Sequence, residues 1–132
     1  MKIKFQKYQG TGNDFIIINN KALNFPINDK SLINRLCNRK LGIGSDGLIL
    51  INPSEKTDFD MIYFNSNGSL GSMCGNGARC SVKFAQNNSI IKDKAIFDAF
   101  DGNHSATISG GLVSLSMKDV KKVKYFESDL LI

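Results

Sequence analysis

The sequence predicts an α+β fold on three observations. Short apolar runs of strand length outnumber helical patterns, tight-turn signals separate many of them, and only two stretches carry a 3.6-residue apolar period. Residues 2–8 alternate Lys2 and Lys4 with Ile3 and Phe5, as a strand with one buried face does. Gly10-Thr11-Gly12-Asn13-Asp14 follows as a loop, because two glycines and an Asn-Asp pair favour positive φ and side-chain-to-backbone turns. A buried strand is expected at 15–18. Asn28 stands as the N-cap of a helix over 29–40, whose Leu32, Ile33, Leu36 and Cys37 share one face and whose Arg39 and Lys40 suit its C-terminus.

A second glycine loop, Leu41-Gly42-Ile43-Gly44-Ser45-Asp46-Gly47, leads into an apolar strand at 48–51. The strand expected at 59–64 ends in the turn Asn65-Ser66-Asn67-Gly68. A helix over 76–87 turns Ala78, Val82 and Ala85 to the core. Three short strands follow at 95–100, 103–108 and 112–117, joined by turns at Asp101-Gly102 and Gly110-Gly111.

A chain of 132 residues with 42% hydrophobic content supports one core, hence one domain over 1–132. The net charge of +5 comes from 14 lysines and only three arginines set against 12 acidic residues. Nucleic-acid binding would call for arginines clustered with aromatics, so no nucleic-acid partner is expected. The basic run from Lys118 to Lys124 reads as a solvated face or tail. Three cysteines, an odd number, do not form a disulfide framework of the secreted kind. With no apolar leader and no apolar run of membrane-spanning length, a cytoplasmic protein without a membrane partner is expected.

Neither glycine loop is a phosphate cradle of the Walker type, since both lead into strands and lack the closing Lys-Ser/Thr. Structural zinc needs four ligands in close pairs, and Cys74 and Cys80 stand six apart with no second pair nearby, so no metal is expected. His104 reads as a surface or hydrogen-bonded histidine, although spatial pairing with Cys74 stays open.

The run Met73-Cys74-Gly75-Asn76-Gly77-Ala78-Arg79-Cys80 places Cys74 where a turn meets a helix. Unpaired N–H groups and the positive end of the helix dipole favour a thiolate there. Gly75 and Gly77 leave the backbone uncovered, so the amides after Cys74 can take a substrate carboxylate. The alternative for Cys74 is a small core thiol. For Cys37 and Cys80 the core reading wins. Asn13, Asn65 and Asn76 are turn residues that can equally bind the ammonium and carboxylate groups of an amino acid.

Four segments read together closely resemble the N-terminal half of the diaminopimelate epimerase family: Gly10-Thr11-Gly12-Asn13-Asp14-Phe15, Gly42-Ile43-Gly44-Ser45-Asp46-Gly47-Leu48, Phe64-Asn65-Ser66-Asn67-Gly68-Ser69, and Cys74-Gly75-Asn76-Gly77-Ala78-Arg79-Cys80. Proline racemases, distant relatives, typically carry His where this chain has Asn76. The resemblance implies a strongly curved mixed or antiparallel sheet, or barrel-like roll, wrapped around a central helix. It also implies cofactor-independent interconversion of LL- and meso-diaminopimelate, in lysine and peptidoglycan precursor synthesis. One thiolate removes the α-proton while a thiol on the opposite face returns one.

Carried over by motif, Cys74 is one of the two thiols. Gly75 and Asn76 hold the α-carboxylate, and Asn13 and Asn65 grip the α-substituents or the distal end. Some members carry a substrate-touching Gln where this chain has Gly47. Family members are about twice as long, and the second cysteine, its Gly-Ser partner and a Glu-Arg pair come from a C-terminal lobe. The expectation is therefore a single lobe whose partner is that missing lobe, inactive alone and prone to self-associate, with a homodimer as one outcome. A related amino-acid racemase, or a binding module that keeps the fold, are the alternative readings.

Overall fold

The computed structural model describes residues 2–116. Its elements are β1 (Gln6–Gly10), β2 (Asn13–Asn19), α1 (Lys30–Cys37), β3 (Gly47–Asn52), β4 (Phe59–Asn65), α2 (Gly75–Asn87), β5 (Lys94–Ala99), β6 (Gly102–Ser109) and β7 (Leu112–Ser116). The seven strands form one sheet in chain order. Four of its pairings are antiparallel, whereas β2–β3 and β4–β5 are parallel. A parallel step needs a long crossover, and α1 and α2 each span one.

Alternation along β2 and β3 shows how the layers assemble. Phe15, Ile17, Ile49 and Ile51 face α2, while Ile16, Ile18, Leu48 and Leu50 face α1. Both strands are covered on both faces, which explains their unbroken apolar runs. Helix α2 packs on β1, β2, β3, β4 and β7, so strands from both edges of the sheet curl around it. Cys37 and Cys80 are buried in the two cores, as their spacing implied. β4 and β5 share only two register pairs, and Phe59 stacks on Phe97 at 4.9 Å where they meet. A stacked pair of this kind contributes about 1 kcal/mol beyond its burial. Among the described residues no helix is long and apolar enough to cross a membrane.

Several boundaries differ from the sequence pattern. β1 begins at Gln6, not residue 2, and runs through Gly10, because the turn to β2 takes only Thr11 (φ 50°) and Gly12 (φ 90°). Two positive-φ residues match the right-handed twist of the flanking strands. The N-cap of α1 is Asp29 rather than Asn28, its Oδ1 accepting from the Leu32 N–H at 3.0 Å. The helix ends at Cys37, three residues early, because Asn38 turns extended and its Oδ1 accepts from the N–H groups of Lys40 and Leu41. The turn before β6 is Phe100-Asp101, with Gly102 already paired to Ala99. Residue 117, the expected end of β7, and the basic run of 118–124 lie outside the described residues.

Candidate active site

Cys74 is the N-cap of α2, with extended backbone (φ −121°, ψ 119°) and its carbonyl already accepting from the Ala78 N–H at 2.8 Å. The thiol Sγ accepts from the Gly77 N–H at 3.4 Å, so one of the uncovered amides is spent on the cysteine itself. Among the described residues the N–H groups of Gly75 and Asn76 make no hydrogen bond, leaving two donors at the positive end of a 13-residue helix. Gly77 presents its bare Cα to the sheet. A Cβ there would lie 3.3 Å from Ile49 Cδ1, 3.4 Å from Met61 Cε and 3.6 Å from Cys74 Cβ.

Asn76 donates from Nδ2 to Asn13 Oδ1 at 2.8 Å, joining the β1–β2 hairpin to the first turn of α2 across 63 residues of sequence. Asn13 in turn donates to Asp46 Oδ2 at 3.2 Å. Asp46 belongs to the second glycine loop, and its backbone N–H donates to Asp14 Oδ1 at 3.0 Å. Arg39 closes the cluster with hydrogen bonds of 3.1 and 2.9 Å to Asp14 and 3.2 Å to Asp46, and Lys7 adds an ion pair to Asp14 at 3.0 Å. The two glycine loops are thus the scaffold that aims Asn13 at Asn76. Motif reading does not single out Asp14, Arg39 or Asp46, although Asp14 and Asp46 lie inside the two glycine motifs. Their signal was charge set among turn residues.

Asn65 arrives separately, at the end of β4. It donates to Ser69 Oγ at 3.2 Å, and in register it faces Gly47. His104 is not joined to Cys74 by a hydrogen bond. It is 1% exposed, stacked on Phe97 at 5.5 Å, and its Nε2 pairs with Asp101 Oδ1 at 2.6 Å. Burial pushes the Cys80 thiol up to about 11, with the neighbouring Cys74 adding to the rise, and burial also raises Cys37. Neither is suited to act as a base near neutral pH. Among the described residues, no group of three or more His, Cys, Asp and Glu side chains is placed to hold a metal ion.

The Arg39 guanidinium, ahead of the Lys7 ammonium, holds the Asp14 carboxyl well below the usual carboxylate range. A depressed folded value means the contribution to stability is present above the ordinary carboxylate pKa of about 4 and is lost as pH falls toward the folded one. Arg39 is 58% exposed, so solvent screening limits the effect. Asp14→Asn is expected to cost about 1–2 kcal/mol at pH 7. In urea unfolding series that gap narrows below about pH 4. A gap unchanged at pH 3 would contradict the assignment.

The fold is that of the isomerases and epimerases built on a sheet curled around a helix. The solved methylitaconate-delta-isomerase matches with a TM-score of 0.64 at 17% identity, covering 89% of this chain and 64% of that one. A hydroxyproline epimerase from Agrobacterium vitis matches at 0.54 and 14% identity, covering 86% of this chain and 41% of that one. More narrowly, the chain belongs to the diaminopimelate epimerase family, whose sequence profile matches residues 5–129. It is 50% identical over 127 residues to the diaminopimelate epimerase of Flavobacterium psychrophilum, covering 96% of this chain and 50% of that protein. It is 39% identical to the one of Campylobacter jejuni subsp. doylei, covering 92% and 48%. The chain spans about half the length of these curated relatives.

Proposed function

We propose that this chain is one lobe of a diaminopimelate epimerase and supplies Cys74 as one of two acid/base thiols that interconvert LL- and meso-diaminopimelate. The observation that carries the reading is the placement of Cys74 Sγ beside the free N–H groups of Gly75 and Asn76, at the end of α2 where Asn13 joins Asn76. A substrate α-carboxylate on those amides brings its α-carbon near the thiol. The helix dipole also favours the negative charge that builds on that carboxylate as the α-proton leaves.

On one face the Cys74 thiolate takes the α-proton and becomes a thiol. A second thiol, from a lobe beyond the residues described, gives a proton to the opposite face and becomes a thiolate. The reverse direction exchanges the roles. Asn13 and Asn76 orient the amino acid, and Asn65 approaches from β4. No cofactor is invoked, because the amides and the dipole stabilise the carbanion. The product serves lysine and peptidoglycan precursor synthesis, a cytoplasmic task.

The test is α-proton exchange in D2O with LL-diaminopimelate, using this chain alone and with a separately supplied C-terminal lobe. Exchange is expected only with both. No exchange with both lobes folded would refute the reading, while exchange of another amino acid in its place would favour a related racemase.

A further inference from the structure

Tyr63 sits on the α2-facing side of β4, two residues beyond Met61 and in register with Ile49, the two sheet residues that pack against Gly77 beside Cys74. Its ring is set in a slot between two positions that have no side chain. A Cβ on Gly47 would lie 2.5 Å from Tyr63 Cε1 and 2.9 Å from its hydroxyl oxygen. One on Gly71 would lie 2.6 and 2.7 Å from Cδ2 and Cε2 on the other edge. Phe15 fixes the ring from a third side, edge to face at 6.0 Å. Beside it, Asn65 Oδ1 lies 3.2 Å from the same point above Gly71.

A tyrosine held this firmly ordinarily has a partner for its hydroxyl. Among the described residues the Tyr63 hydroxyl makes no hydrogen bond, and the residue is half-buried. The slot also removes the room in which a longer side chain at position 47 would stand. The phenol fills the space above Gly47 instead.

We propose that Tyr63 is a substrate-positioning residue of the Cys74 site, its hydroxyl donating a hydrogen bond to a carboxylate of the bound amino acid. The inference rests on the functional reading given above. Burial, with the negative charge of Cys74 behind it, raises the phenol above its usual value, so the group keeps its proton and stays a donor. Its place beside Asn65 fits recognition of a polar substrate end, while the ring supplies an apolar wall.

The test is protection of Cys74 from iodoacetamide by diaminopimelate, with the chain combined with a separately supplied C-terminal lobe. Rates are taken as the ratio with and without diaminopimelate, so that a change in the reactivity of the thiol itself cancels. Tyr63→Phe keeps the ring and its packing and removes only the hydroxyl. The diaminopimelate concentration for half-protection is expected to rise about tenfold, as for loss of a hydrogen bond to a charged group, with the thermal midpoint unchanged. Equal protection of variant and unaltered protein would overturn the role of Tyr63 and leave the Cys74 site standing. No protection of the unaltered protein would remove both.

Discussion

Cys74→Ala is expected to lower α-proton exchange from diaminopimelate, measured with both lobes present, by at least about 10³-fold, toward the upper end of what one positioned acid/base group contributes. The informative partner is Cys74→Ser. Cys74 both caps α2, with Sγ accepting from the Gly77 N–H, and stands at the mouth of the site. Serine is a better N-cap than cysteine, so the helix start is kept or strengthened by a few tenths of a kcal/mol. An alcohol, however, does not ionise near neutral pH, so exchange is lost as fully as with alanine. Stability and chemistry then separate at a single atom. Cys80→Ala is the control: that thiol is buried and raised to about 11, and its loss leaves exchange within a few-fold. Exchange retained by Cys74→Ser, or lost in a folded Cys80→Ala, would assign the base elsewhere.

Much of the local structure around Cys74 was readable because its causes are local. A cysteine followed by Gly-Asn-Gly and a helical apolar period specifies a capped helix start within a dozen residues. The runs of β2 and β3 were equally plain, since strands covered on both faces are apolar throughout. The parallel steps were hidden, because two strands of identical pattern pair in either direction and only the packing of α1 and α2 decides. The hydrogen bond from Asn76 to Asn13 joins residues 63 apart, and the sequence marks each only as a turn residue, whereas Asn13 opens β2 and Asn76 lies in the first turn of α2. Charge alone places Arg39 at the end of α1. Asn38 instead ends the helix and frees Arg39 for Asp14 and Asp46, a competition between a capping side chain and a dipole that charge alone does not resolve. Tyr63 carried no signal, since its slot is made by two glycines distant in sequence.

Gly42→Ala is expected to be the most destabilising single-methyl change in the second glycine loop, at roughly 3 kcal/mol or more against a total stability of about 5–15. A Cβ at Gly42 would fall onto the backbone carbonyl oxygen of Arg35 and within 2.8 Å of that of Leu36. Neither atom can rotate away, so the loop must lift or the last turn of α1 must unwind. Lifting breaks the bonds by which the loop satisfies the helix end: Ile43 N–H to Leu36 O at 2.9 Å, Gly44 N–H to Leu36 O at 3.0 Å and Ser45 N–H to Cys37 O at 3.0 Å. At about 1 kcal/mol each these alone account for the estimate. Gly12→Ala supplies the contrast. Gly12 has φ 90° but nothing within 4 Å of a Cβ, so alanine there meets backbone strain without collision, worth about 1–2 kcal/mol. Urea midpoints should therefore fall further for Gly42→Ala than for Gly12→Ala, and the reverse order would show that the loop yields freely. Because Asp46 belongs to the same loop and holds Asn13, the damage reaches the site as well. On the function proposed above, a folded remainder of Gly42→Ala combined with a separately supplied C-terminal lobe should bind diaminopimelate more weakly, as a loop that served only to link α1 to β3 would not require.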